Sequence, residues 1–118
     1  MPGDRIIVYE KPTCSTCRRL TALLTEGGID FERVDYTVDP LSREKLVELI
    51  GKMGISPREL LRRRHSAYTE LGLDDPAVPD ARLLDAMAAH PELVQRPIIE
   101  RGDRAVLGRP PERVLEIL

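Results

Sequence analysis

Hydrophobic positions change their period several times along the chain, and each change marks an element. Ile6-Ile7-Val8-Tyr9 is a short apolar, β-branched run, the pattern of a buried strand. A polar loop follows, and then Cys17, Leu20, Leu23 and Leu24 share one helical face. Gly27-Gly28 stops that helix in the manner of a left-handed C-cap. Ile29 to Tyr36, with Phe31, Val34 and Tyr36, reads as a second strand. Strand, helix, strand predicts a parallel βαβ unit.

The middle of the chain is helical. Leu46, Leu49, Ile50 and Met53 keep i, i+3, i+4, i+7 spacing after Asp39-Pro40-Leu41-Ser42, with Gly51 and Gly54 marking the end. Ser56-Pro57-Arg58-Glu59 is a capping box with proline at the first helical position, which places Leu60, Leu61 and Arg62 in a short helix. Tyr68, Leu71 and Leu73 predict another turn or two. Asp80 caps a helix through Leu83, Leu84, Met87 and Ala88 that stops at His90-Pro91. The end returns to strands. Pro97-Ile98-Ile99-Glu100 and Ala105-Val106-Leu107 flank Gly102-Asp103, a tight hairpin signal. Pro110-Pro111-Glu112 opens a last helix carrying Val114, Leu115, Ile117 and Leu118. The order β-α-β, several helices, β-β-α matches an α/β, thioredoxin-like fold: a four-stranded mixed sheet in a single domain over 1–118, with an all-helical insertion at about 40–92.

Composition narrows the class. The chain has 118 residues, 42% hydrophobic and 32% charged, as in an ordinary soluble domain that buries a core without disulfides or metal. A formal net charge of −2 argues against general nucleic-acid binding. The start carries no secretory pattern, and no stretch reads as a membrane span. Two cysteines three residues apart are no disulfide framework. The expectation is a cytoplasmic protein whose cysteine pair is catalytic or metal-binding.

Both cysteines sit in Cys14-Ser15-Thr16-Cys17, between the first strand and the first helix. A thiol at a helix N-terminus faces unpaired backbone N–H groups and the positive end of the helix dipole, and both favour the thiolate. Cys14, earlier in the loop, is the exposed candidate nucleophile. Cys17, about one turn into the helix, is the more buried candidate resolving thiol, close enough to close a disulfide. The plainer reading is a packing role for Cys17. A zinc site would need His65 and His90, whose spacing fits no zinc-finger pattern, so no metal is expected. Arg62-Arg63-Arg64-His65 is a basic cluster at a helix end. It reads either as a solvated turn complementing the dipole or as a source of one anion-binding arginine. Arg96 precedes Pro97, a candidate cis bond, and Arg109 precedes Pro110-Pro111.

Several stretches together resemble a known family. They are Tyr9-Glu10-Lys11-Pro12-Thr13-Cys14, Met53-Gly54-Ile55-Ser56-Pro57-Arg58-Glu59-Leu60-Leu61-Arg62, Tyr68-Thr69-Glu70-Leu71-Gly72-Leu73, His90-Pro91-Glu92-Leu93-Val94-Gln95-Arg96-Pro97-Ile98 and Gly108-Arg109-Pro110-Pro111-Glu112. Over essentially the whole chain they resemble the glutaredoxin-coupled, ArsC-like arsenate reductases of bacteria. The resemblance implies a thioredoxin-like fold with a helical insertion and a cis bond before Pro97. It implies attack on arsenate by Cys14, with Arg62, Arg96 and Arg109 binding the oxyanion. It also implies glutathione as co-substrate, no bound cofactor, and glutaredoxin or thioredoxin as partner. Glu10, Lys11, Thr13, Ser15, Thr16 and Pro97 support this site.

Regulators of the Spx type resemble the chain through the C-x-x-C and Arg96-Pro97 but lack the arginine found here as Arg109. They would make it a thiol redox switch that binds RNA polymerase. A general glutathione- or thioredoxin-linked thiol–disulfide reductase is the third reading. Where the classical reductases carry histidine, asparagine and serine, this chain has Glu10, Lys11 and Cys17. Glu10 is expected to oppose the thiolate of the nucleophile and Lys11 to offset it. Cys17 adds an internal resolving thiol, so the reductant is open between glutathione with glutaredoxin and an internal disulfide reduced by thioredoxin or glutaredoxin.

Overall fold

Ile6 and Val8 alternate with Ile7 and Tyr9 along the first strand, and the rest of the sheet is built on that strand. The computed structural model describes residues 5–11 and 14–118. Thr13 of the supporting loop, with Pro12 and residues 1–4, therefore lies outside the described residues. The chain runs through β1 (Ile6–Glu10), α1 (Ser15–Glu26), β2 (Glu32–Asp35), α2 (Arg43–Met53), α3 (Pro57–Leu60), α4 (Ser66–Glu70), α5 (Asp80–Ala89), β3 (Ile98–Arg101) and β4 (Arg104–Leu107). Short 3₁₀ segments stand at Pro91–Leu93 and Pro111–Glu116. Contacts divide it into two units, one of the chain up to Asp39 with Arg96–Leu118, the other Pro40–Gln95.

The sheet unit holds four strands in the order β2-β1-β3-β4. β1 and β2 run parallel, with Val8 opposite Arg33 and Glu10 opposite Asp35, and α1 supplies the crossover such a pair requires. β3 is antiparallel to β1, pairing Val8 with Ile99, and β4 is antiparallel to β3. One face is the core: Ile6, Val8 and Ile99 pack with Leu20 and Leu24 of α1, Val106, Val114 and Ile117. This is the mixed α/β sheet that the element order predicts.

The helical unit packs α5 against α2 and α3. Ser42 caps α2 by accepting from the Lys45 N–H at 3.1 Å, and Gly54 ends it. The capping box at α3 is complete. Ser56 donates its N–H to Glu59 Oε2 at 2.7 Å, and Ser56 Oγ accepts from the Glu59 N–H at 3.4 Å. Leu46, Leu49, Leu60 and Leu83 are fully buried.

Local patterning misplaced several boundaries. Gly27 keeps a right-handed conformation, and it is Gly28, at φ +67°, that takes the backbone region a side chain resists. β2 is shorter than Ile29 to Tyr36 because only Glu32–Asp35 pairs with β1. Gly51 lies inside α2. Leu61 and Arg62 are not helical: Leu61 is extended and bridges to Val94, and the Arg62 N–H bonds Leu93 O at 2.6 Å. Asp80 is the first helical residue of α5 and Pro79 its cap. The last helix is 3₁₀.

Candidate active site

β1 ends at Glu10, and the chain turns so that the Cys14 N–H bonds Lys11 O at 2.9 Å. Cys14 is the N-cap of α1, with extended backbone at φ −76° and ψ 124°. Its Sγ accepts from the Cys17 N–H at 3.4 Å, and its carbonyl from the Arg18 N–H at 3.0 Å. The thiol thus takes the place of the usual oxygen cap, where the helix dipole favours negative charge. Cys14 is half-buried and Cys17 buried, and both are free thiols.

Arg96 completes the environment of Cys14. It stands before Pro97, and the Arg96–Pro97 peptide is cis. Its guanidinium lies beside the Cys14 thiol and the Tyr36 hydroxyl. The residue is 8% exposed, and its buried Nε has no hydrogen-bond partner among the described residues. A buried guanidinium next to a thiol is the kind of cationic donor that an oxyanion uses. Burial resists the charge on Arg96, yet Tyr36 and Cys14 outweigh it and hold its proton more tightly than usual.

The two thiols part company. Burial opposes ionisation of Cys14, but the Cys17 thiol and N–H and the Arg96 guanidinium outweigh it, so Cys14 ionises below the ordinary thiol range. Burial pushes the Cys17 thiol up to about 12. A backbone hydrogen bond from Lys11 opposes that rise, and the Cys14 sulfur and the Glu10 charge add to it. Cys14 is thus the more readily ionised of two thiols three residues apart.

Arg109 is held beside Arg96, its Nε donating to Arg96 O at 2.7 Å. The strand end that carries it is drawn onto Pro97, with the Gly108 N–H on Pro97 O at 2.8 Å. A Cβ at Gly108 would lie 2.7 Å from Ile99 Cδ1 and 3.0 Å from Pro97 Cγ, so glycine is what permits this approach. The Arg109–Pro110 peptide is cis as well.

The family model described as ArsC family matches residues 9–117. The chain belongs to the ArsC family. It is 42% identical over 115 residues to an arsenate reductase of Escherichia coli, covering 98% of this chain and 82% of that one. An arsenate reductase of Neisseria meningitidis is 38% identical, with 96% and 97% covered. The solved arsenate reductase from Vibrio cholerae superposes with a TM-score of 0.94 at 39% identity over 98% of both chains.

Of the site residues expected from the sequence, this ArsC-family chain brings Cys14, Cys17, Arg96, Pro97 and Arg109 together within the sheet unit. Arg62 belongs to the helical unit, half-buried, with Nη1 3.5 Å from Glu92 O. Ser15 and Thr16 open α1 beside Cys14. Glu10 departs from expectation. It closes β1 rather than lying in the loop, is 1% exposed, and takes both Nε and Nη2 of Arg33 on Oε2 at 2.9 and 2.7 Å. Its charge adds to the rise of Cys17. His65 caps α4, its Nδ1 accepting from the Ala67 N–H at 3.2 Å. Among the described residues no group of three or more His, Cys, Asp or Glu could hold a metal ion, and no helix is long and apolar enough to cross a membrane.

Tyr36 and Arg33 were missed. Tyr36 reads as an ordinary strand-end aromatic and Arg33 as an exposed polar strand position. Their partners lie dozens of residues away, and no local spacing signals them.

Proposed function

We propose that this chain reduces arsenate to arsenite in the cytoplasm. The observation that carries the reading is Cys14 Sγ at the cap of α1, beside the guanidinium of buried Arg96. Arsenate sits at the helix N-terminus with Arg96 and Arg109 on its oxygens. Arg62 is the third arginine by family resemblance.

The Cys14 thiolate attacks arsenic, an arsenic–oxygen bond breaks, and that oxygen leaves as hydroxide or water. A second thiol then completes a sulfur–sulfur bond with Cys14. Two electrons pass to arsenic, and arsenite departs. Two thiols can serve. Glutathione would leave a mixed disulfide for glutaredoxin. Cys17 would leave a Cys14–Cys17 disulfide for thioredoxin or glutaredoxin. The closeness of Cys17 to Cys14, with its N–H on Cys14 Sγ, favours the internal route.

The test is arsenate-dependent NADPH oxidation, coupled in parallel to glutaredoxin with glutathione and to thioredoxin, for wild type and Cys17→Ser. Turnover of wild type in either system with loss in Cys17→Ser supports the internal route. Full activity of Cys17→Ser with glutathione and glutaredoxin assigns resolution to glutathione. Absence of arsenate turnover in both systems, with the pair still oxidising, removes the reductase reading.

A further inference from the structure

Glu10 is a costly residue to bury. A carboxylate removed from water must be matched by donors, and a salt bridge in such a place often does no better than an apolar pair of the same shape. Here the match is made from two elements. Arg33 of β2 gives Oε2 two N–H donors, and Thr21 of α1 gives Oε1 its hydroxyl at 3.4 Å. The same Thr21 hydroxyl lies 3.1 Å from Cys17 O. The carboxylate therefore joins β1, β2 and α1 directly behind the second cysteine. Half of the Arg33 side chain is exposed, so its charge is solvated, whereas that of Glu10 is not. Of the pair, the carboxylate is the buried member, and its charge acts on Cys17.

We infer that Glu10 is a positioning residue for the thiol pair: anchored by Arg33 and Thr21, its fixed negative charge behind Cys17 keeps the anionic character of the pair on Cys14. Cys14 then meets the substrate as the nucleophile. Cys17 stays a neutral thiol until the adduct on Cys14 has formed, so the two cannot exchange roles. This role rests on Cys14 as nucleophile and Cys17 as resolving thiol. The readout below needs no arsenate, so failure on arsenate and failure of this role are separate outcomes.

Other charges surround the pair. Cys14 caps the helix that carries Cys17, Arg96 lies on Cys14, and Lys11 and Asp35 follow β1 and end β2. Arg18 and Arg19 of α1 are exposed, and Arg19 is 3.7 Å from Glu112 of the last 3₁₀ segment. None of these is altered by neutralising Glu10.

The experiment uses Cys14→Ser, in which serine retains a cap and Cys17 is the sole thiol of a chain that has two. The carbon-13 Cβ shift of Cys17 reports its thiolate-to-thiol ratio in the folded protein at a fixed alkaline pH. Adding Glu10→Gln should raise that ratio about tenfold, the size of a single nearby charge. Adding Thr21→Val, which removes the hydroxyl and leaves the charge, should leave the ratio unchanged. If Glu10→Gln alone does not fold, Glu10→Gln with Arg33→Gln keeps the site neutral and carries the same expectation. An unchanged ratio on neutralising Glu10 overturns the role. An equal rise with Thr21→Val overturns it too, because packing of the first turn of α1 would then be the cause.

Discussion

In the helical unit every buried described residue is apolar, from Leu46 and Leu49 through Leu83 and Met87 to Leu93 and Val94. The sheet unit, beside a core of the same kind, also buries Glu10, Arg96 and Glu100. Each of these has a specific polar environment. Glu10 takes Arg33, Arg96 meets Tyr36 and Cys14, and Glu100 accepts from the Tyr9 hydroxyl at 2.7 Å. A buried leucine contributes transfer free energy, about 1.5–3 kcal/mol, whatever its neighbours' chemistry. A buried arginine contributes only where its partners are in place, and it holds a charge in a fixed position. The contrast teaches where substitutions should act: on chemistry in the sheet unit, on stability in the helical one.

The sharpest break in that contrast is Cys14→Ser. Serine can still cap α1, so thermal unfolding should stay close to wild type, while arsenate turnover in the coupled assay falls to background. A Cys14→Ser protein that still turned over would remove the chemistry from this end of the sheet altogether.

Arg96→Ala is the next largest. Losing a buried donor to the oxyanion should lower kcat/KM about 100-fold. It should also move the pH profile, and the direction is fixed. Cys14 ionises below the ordinary thiol range, so its thiolate persists as pH falls and activity is lost only when pH drops through that lowered midpoint. Without the guanidinium the thiolate is less favoured, and the acid limb shifts to higher pH. Tyr36→Phe, which takes away the hydroxyl beside Arg96, should do the same to a lesser degree. An acid limb that stays put in Arg96→Ala would detach Arg96 from Cys14.

What could be read from the chain beforehand follows the range of the interactions. The β1–α1 junction is local: an apolar run, a polar loop and a 3.6-residue period suffice to put Cys14 at a helix start and Cys17 one turn in. The capping box at Ser56 is likewise a matter of four neighbouring residues. Arg62 reads locally as part of α3 because nothing nearby reports that Leu61 pairs with Val94 across the unit. Glu10 reads locally as a loop residue because the partner it needs, Arg33, is brought up by the parallel register of β2. That strand has no hydrophobic alternation to reveal its register, being exposed at Glu32 and Arg33 and half-buried at Val34 and Asp35. Arg96 and Arg109 are visible as X-Pro arginines, but their adjacency depends on the β3–β4 pairing and on the glycine at 108.

The smallest effect on chemistry should come from the helical core. Leu83 is fully buried on α5, which packs against α2 and α3. Leu83→Ala removes three carbons from that packing and leaves a cavity that the neighbouring helices fill only in part, at a cost of about 2–5 kcal/mol in unfolding free energy. Denaturant unfolding reads that loss directly. The kcat of the folded fraction, measured at a temperature where the variant remains folded, should match wild type, because no charge or donor near Cys14 has changed. A kcat that falls while stability is intact would break the contrast, because the leucine core would then bear on chemistry as well as on stability.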